Sequence, residues 1–237
     1  MKKIKITGLF LALGMGLSGS SLYAATGDLI NINFGSGYES GAAYSEGEEL
    51  SWNEESRPSG NDTSVYSAEG DRLSGVIFSW ASDGYTVLNT STFTSAPYLM
   101  DSYIYTTNKQ GSFSFSGLSE GTYTLYIYSQ SELSGQALSV SIAGTAYSTT
   151  LSNASSTTFI SGQNYLVIEN LTVSEAGTLT VSYGGTGTDV INGVQLLQTS
   201  DASAVPEPAS IVLLGIGGAL AAGYMKKRAA LPSAVTS

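Results

Sequence analysis

The side chains in this sequence that can do chemistry are carboxylates, tyrosines, serines and a few lysines, because His and Cys are both absent. Their absence removes thiolate nucleophiles, a Ser-His-Asp triad, an imidazole base and any His- or Cys-ligated zinc or haem. Disulfides and a lipidated N-terminal cysteine go with them. A glycosidase needs two carboxylates flanking a sugar, and Asp83, Asp101, Glu120 and Glu169 are available. Nothing in their spacing separates them from ordinary surface acids, so no catalytic residue is assigned and no enzyme is expected.

Sugar binding asks for something different. Pyranose C–H faces stack on aromatic rings, while hydroxyls need amides and carboxylates nearby. Trp52-Asn53, Trp80 and Tyr85 are the combinations that fit best. Trp80 ends an alternating run, where a ring more often serves core or edge packing. Trp52 lies in a long excursion and either meets solvent or pins that loop to the body. No ligand-binding residue is assigned from these.

Calcium is the one metal the composition admits, through oxygen ligands. Asp28/Asn31 and Glu46/Glu48/Glu49 are acidic or amide clusters without EF-hand spacing, and they read as solvated surface. A structural calcium therefore has no assignable ligands, and no other cofactor is expected. Four Asn-X-Ser/Thr sites, at Asn61, Asn89, Asn153 and Asn170, are what a chain rich in Ser and Thr produces by chance.

The elements that must position these groups lie between two targeting segments. Residues 1–25 read as a secretory signal peptide: Lys2, Lys3 and Lys5, an apolar run from Ile6 to Leu17, then Leu22-Tyr23-Ala24-Ala25 with small residues for a signal peptidase. At the other end, Val205-Pro206-Glu207-Pro208 precedes an apolar stretch from Ala209 to Tyr224, and Lys226-Lys227-Arg228 closes it. A helix over that stretch spans about 24 Å, a few ångström short of a ~30 Å hydrocarbon core. The basic triplet stays cytoplasmic, so the preceding body faces outward. Two prolines around Glu207 start the helix sharply, and a carboxylate there suits the helix dipole.

This order of Pro-Glu-Pro, glycine-rich apolar helix and basic cluster resembles the PEP-CTERM sorting signal of bacterial exported proteins. The resemblance implies that a membrane-embedded exosortase recognises the tail, with Pro206, Glu207 and Pro208 as the motif and Lys226, Lys227 and Arg228 as the membrane stop. The tail from Ala229 to Ser237 is longer than the family usually leaves. The family's association with bacteria that make exopolysaccharide implies a cell-surface or matrix location, in biofilm material, reached through a membrane-anchored intermediate.

The body, residues 26–198, is followed by a short polar linker at 199–205. From residue 25 to 205 the chain keeps three basic residues, Arg57, Arg72 and Lys109, against 18 acidic ones, a net charge of −15. Such a surface repels phosphate backbones, so nucleic acid is excluded as a partner. Val, Ile, Tyr, Phe and Thr recur in short alternating runs, which predicts an all-β, jelly-roll-like antiparallel β-sandwich.

Strands are expected over Leu29–Phe34, Val76–Trp80, Tyr85–Asn89, Tyr98–Thr106, Ser112–Ser116 and Thr122–Ser129. Further ones follow at Ala137–Ala143, Tyr147–Leu151, Asn164–Val173, Thr178–Tyr183 and Asp189–Leu197. The turns at Gly117–Gly121 and Glu175–Gly177 fall at hairpin spacing. Residues Gly35 to Asp71, rich in Glu, read as a long acidic surface excursion near one edge.

Ile32-Asn33-Phe34-Gly35 near the start, Ile191–Leu196 near the end and the Gly117-Leu118-Ser119-Glu120-Gly121-Thr122-Tyr123 turn are similar to malectin-like and galactose-binding-like sandwiches. That resemblance implies carbohydrate binding. Two roles stay open: a structural, non-catalytic surface protein associated with exopolysaccharide, and a carbohydrate-binding module gripping the matrix polymer. A polysaccharide hydrolase is the weaker third.

Overall fold

The alternating runs do become strands. The computed structural model describes residues 28–35, 42–44, 50–87, 99–131, 137–150, 158–174 and 177–201. The expected signal peptide, the sorting residues Pro206, Glu207, Pro208, Lys226, Lys227 and Arg228, and Glu46, Glu48, Glu49, Asn89 and Asn153 all lie outside the described residues.

Among the described residues there are fourteen strands and no helix. The first seven are β1 (Leu29–Asn33), β2 (Asn53–Glu54), β3 (Ser59–Asp62), β4 (Ile77–Ala81), β5 (Gly84–Val87), β6 (Ser102–Thr107) and β7 (Gln110–Leu118). Then come β8 (Gly121–Tyr128), β9 (Ala137–Ile142), β10 (Thr145–Thr150), β11 (Tyr165–Val173), β12 (Gly177–Gly184), β13 (Thr188–Ile191) and β14 (Gly193–Asp201).

They form a five-stranded sheet ordered β11-β8-β14-β1-β2 and a six-stranded sheet ordered β10-β9-β12-β7-β4-β3. A three-stranded sheet, β13-β6-β5, completes the architecture. All pairings are antiparallel except β1 with β2.

Period-two alternation puts one side chain of each pair into the core. Ile30 and Ile32 of β1, Tyr123, Leu125 and Ile127 of β8 and Val194 and Leu196 of β14 meet Phe78, Trp80, Phe113, Phe115, Val140, Ile142, Val181 and Tyr183 from the six-stranded sheet. Phe78 stacks on Trp80 with ring centroids 5.4 Å apart and sits 4.8 Å from Phe115. Each such aromatic removed from water contributes roughly 1.5–3 kcal/mol. Ser139 of β9 faces out between Leu138 and Val140, as alternation requires.

Several expectations are corrected. The Gly117–Gly121 turn is not a hairpin, since β7 and β8 lie in different sheets; of the expected turn at Glu175–Gly177, residues 175 and 176 lie outside the described residues, while β11 and β12 on either side belong to different sheets. The Gly117–Gly121 turn crosses the sandwich, because inter-strand pairing, and not turn length, decides which sheet a strand joins. Gly117 makes that corner possible, with φ +72° and the Gly75 carbonyl 2.1 Å from where a β-carbon would stand. The close hairpin is β9–β10, whose Ala143 and Gly144 both have positive φ, as a type I′ turn needs.

The run expected as one strand at 189–197 breaks at Asn192 into β13 and β14, which join different sheets. Strand β14 continues to Asp201, into the expected linker. The acidic excursion supplies both β2 and β3, at the edges of the two large sheets. Its Glu55 is not on the surface but only 4% exposed.

Candidate functional site

Strand β8 alternates Tyr123, Leu125 and Ile127 toward the core with Thr124, Tyr126 and Tyr128 toward the opposite face. The registers carry that opposite face across four strands. Val167, Tyr126, Gln195 and Asn31 stand opposite one another in one row. The next row holds Tyr165, Tyr128, Gly193 and Asn33. All five residues of β1 are nevertheless buried, because this outer face is roofed by other segments.

The roof is apolar on one side and tied by amides on the other. Ala42, Leu99 and Met100 bury against Tyr128, with Ala43, Trp52, Tyr126, Phe159 and Tyr165 packed around them. Gly193 admits the roof: a β-carbon there would lie 2.6 Å from Leu99 Cδ1. The Gln195 amide donates to Asn31 Oδ1 at 2.9 Å, and Tyr128 Oη donates to Gln195 Oε1. Tyr128 Oη in turn accepts from the Ala43 amide at 3.0 Å, and Asn31 Nδ2 donates to the Ser51 carbonyl at 3.0 Å. Burial pushes the Tyr128 phenol well above its usual range, so it serves as a neutral donor and acceptor.

These ties hold the chain at 42–44 over β8. Tyr44 is left 45% exposed, with its ring 5.5 Å from that of Tyr126 at 51°. Beside it opens a cavity of about 190 Å³ lined by Asp28, Leu29, Tyr44, Leu50, Ser67, Ala68 and Glu69. The turn carrying Ser67 to Glu69 is docked on β1 by the Ala68 amide, which donates to the Leu29 carbonyl at 2.7 Å. On the other side, Glu169 lies within electrostatic reach of Tyr126, whose phenol is pushed up by burial first and then by Tyr44 and Glu169. The arrangement offers an exposed ring for stacking, a hydroxyl and carboxylates for hydrogen bonds, and an apolar floor.

Of the residues singled out by sequence, Asp28 lines this cavity and Glu169 acts on Tyr126; the others lie elsewhere or do structural work. Trp80 is 3% exposed in the core, and its indole donates to the Arg57 carbonyl at 3.0 Å. Asn53 is buried, donating to the Asn31 and Tyr66 carbonyls and accepting from the Tyr66 amide. Trp52 is half-buried under the roof and Tyr85 packs on the main core, so neither is a free platform. Asn31, expected at the surface, is fully buried.

The four candidate carboxylates scatter. Asp83 is held below its ordinary range by the Thr107 amide first and then by Lys109. Asp101 precedes β6 and is pushed up by burial, while Glu120 is exposed in the β7–β8 turn and Glu169 is exposed on β11. Asn61 and Asn170 are exposed, Asn170 with φ 60°. Among the described residues, no three His, Cys, Asp or Glu side chains gather as a metal cluster.

Sequence reasoning missed Tyr44, Tyr126, Ser67 and Glu69. Tyr126 was legible only as one position in an alternating strand, and Tyr44 as one aromatic in a glycine- and serine-rich stretch.

A sequence model of the PEP-CTERM protein-sorting motif matches residues 204–228. The chain carries a PEP-CTERM sorting motif. That segment contains Pro206, Glu207, Pro208 and the Lys226–Arg228 cluster, as the order of residues implied. No curated protein matches the chain in sequence.

Among solved structures, a ruminal GH26 endo-β-1,4-mannanase is 17% identical over 43% of this chain and 20% of its own, with a TM-score of 0.30. A calcium-binding mutant of Bacteroides uniformis β-glucuronidase 2 is 17% identical over 72% of this chain and 18% of its own, at a TM-score of 0.43. This chain thus spans about a fifth of the length of those two proteins. A CBM35 from Cellvibrio japonicus is 18% identical over 48% of this chain and 84% of its own, with a TM-score of 0.32.

Proposed function

We propose that the PEP-CTERM protein is an exported, non-catalytic, jelly-roll-like β-sandwich that grips matrix polysaccharide through the Tyr44 face. In this reading residues 1–25 are removed by signal peptidase, and the helix at 209–224 anchors the chain in transit. An exosortase then handles the Pro206–Pro208 segment, leaving the sandwich at the cell surface or in the matrix. The observation that carries the binding role is the exposed Tyr44 ring braced by Tyr126 beside the Asp28–Ser67–Glu69 cavity. At about 190 Å³, the cavity is below the roughly 300–1,000 Å³ of sites for drug-sized ligands. It therefore suits one sugar ring of a longer chain.

Affinity electrophoresis through the host's own polysaccharide tests this. Wild-type protein is retarded, and Tyr44→Ala loses about tenfold or more of that affinity, since a stacked aromatic contributes on the order of 1–2 kcal/mol. Unretarded wild-type protein would leave the purely structural role standing.

The sorting half of the proposal is read by intact mass of the native protein after fractionation. A mature chain starting near Thr26 and ending near Pro206–Pro208, outside the cytoplasmic membrane, is expected. A chain that keeps Lys226–Arg228 in the membrane would overturn removal of the tail.

A further inference from the structure

We infer that β10 is an interface between two copies of this chain, joined edge to edge about a two-fold axis; this stands apart from the glycan reading. β10 ends the six-stranded sheet, with β9 on one side and, among the described residues, no strand on the other. Its register with β9 is unbroken from Thr145 opposite Ile142 to Thr150 opposite Ala137. In a two-residue hairpin the residues flanking the turn exchange hydrogen bonds, and every second residue after them does the same. Thr145, Tyr147 and Thr149 therefore bond β9, while the amides and carbonyls of Ala146, Ser148 and Thr150 point away from it. Ala146 and Ser148 are exposed, and among the described residues nothing bonds this free row.

The other outer strands are guarded, as sheet edges usually are. β11 carries a bulge at Glu169–Asn170, where Asn170 has φ 60°. β2 is two residues long and includes Glu54, and β3 ends in Asp62. β13 contains Asp189, and β5 has four residues beginning next to Asp83. β10 has no charge, proline or bulge. It lies in the run 133–168, which holds no charged side chain in a body of net charge −15. The sheet behind it is equally neutral: Ser59, Ala81, Ser112, Ser182, Ser141 and Ala146 stand in one row across all six strands.

Two such bodies repel wherever their acids approach, so the uncharged edge is where a second copy can meet the first. The free row is also self-complementary. Antiparallel pairing about Ser148 sets it opposite its own counterpart and Ala146 opposite Thr150, closing about six main-chain hydrogen bonds. Such a contact uses the same patch on both copies and closes at a dimer, without propagating into a fibre. Its area is small, so a dissociation constant of about 10–100 µM is expected.

Sedimentation velocity of the full chain in detergent, over a range of concentrations, tests this. Wild type is expected to dimerise, and more tightly as salt rises from ~0.05 to ~0.5 M, because salt screens the repulsion between the bodies. Ser148→Lys and Ser148→Glu each place like charges opposite one another at the axis and weaken the dimer about tenfold or more. An equimolar mixture of the two variants restores it, which also shows that both are folded. Thr180→Lys, exposed on β12 of the same sheet, leaves the dimer intact. A wild type that stays monomeric to ~1 mM overturns the inference. So does a dimer that survives both Ser148 variants, which assigns pairing to the membrane helix or another surface. A mixture no better paired than either variant alone overturns the two-fold register, and a wild-type dimer that weakens with salt overturns the neutral edge as its basis.

Discussion

Replacing Asn192 with alanine lowers the stability of the sandwich by about 2–5 kcal/mol, a loss that urea unfolding reads as a fall in midpoint at unchanged slope. Asn192 is fully buried where the chain leaves β13 and enters β14. Its Oδ1 accepts from the Gln130 amide at 2.6 Å, and its Nδ2 donates to the Ser102 carbonyl at 2.9 Å. Its own backbone is tied as well, donating to the Tyr128 carbonyl at 2.9 Å and accepting from the Phe34 amide at 2.8 Å. One side chain thus serves the ends of β8 and β6 while the backbone closes on β1.

Truncation strands two buried backbone groups, each costing roughly 1–3 kcal/mol when unpaired. Asn192→Asp keeps the acceptor for Gln130 but turns an acceptor on the Ser102 carbonyl, so it falls below wild type too. Asn61→Ala, an exposed position whose amide reaches Ser79 Oγ, serves as the neutral comparison. A loss under 1 kcal/mol for Asn192→Ala would contradict the assignment of this residue as the joint between sheets.

Glu55→Gln is expected to stabilise the protein at pH 8 by about 2–3 kcal/mol and to leave it nearly unchanged at pH 4. Glu55 follows β2, with its amide donating to the Asn33 carbonyl at 2.8 Å. Burial, and secondarily the Asp62 carboxylate, pushes its carboxyl from 4.5 up to about 7. Arg57 opposes this, but its guanidinium is 3.7 Å away and largely in solvent, where an ion pair contributes little.

The raised value sets the sign. Below pH 4.5 both folded and unfolded chains hold the proton. Between 4.5 and about 7 the unfolded chain releases it first, so folding stability falls as pH rises. Above about 7 the folded chain releases it too and the loss levels off. Glutamine keeps the shape and carries no charge, so the contribution disappears. Because Asp101 and Asp189 are also pushed up by burial, the measurement is the difference between wild type and Glu55→Gln across pH 4 to 8. A difference that is flat, or that grows toward acid, would refute the buried-carboxylate account.

Much of the strand content was legible because alternation is a local property. Leu138-Ser139-Val140-Ser141-Ile142 shows its inward face in five letters, and β9 buries Leu138, Val140 and Ile142 accordingly. The two short segments that resembled such sandwiches are strands that the structure pairs, Asn33 opposite Gly193, a pairing that the sequence did not state. The site was far less legible. Trp52 and Trp80 were the natural platforms by residue type, yet large aromatics also give the greatest gain on burial, and both are drawn into packing.

What the sequence by itself determined is the chemistry available and the address. Missing His and Cys limit the reactive groups, 18 acids against three bases set the field of the body, and the ordered Pro-Glu-Pro, apolar and basic segments specify the sorting motif. These are properties of composition and of contiguous residues. Only the tertiary structure decided that the Gly117 corner crosses between sheets, that Glu55 is buried, and that a roof held by Gln195, Asn31 and Tyr128 covers one sheet while leaving Tyr44 at its rim. An alternating strand encodes that it has two faces. Which sheet it enters, and whether its second face meets water or another segment, depends on partners more than a hundred residues away. Gln195 and Asn31 are 164 positions apart in the chain and 2.9 Å apart in space.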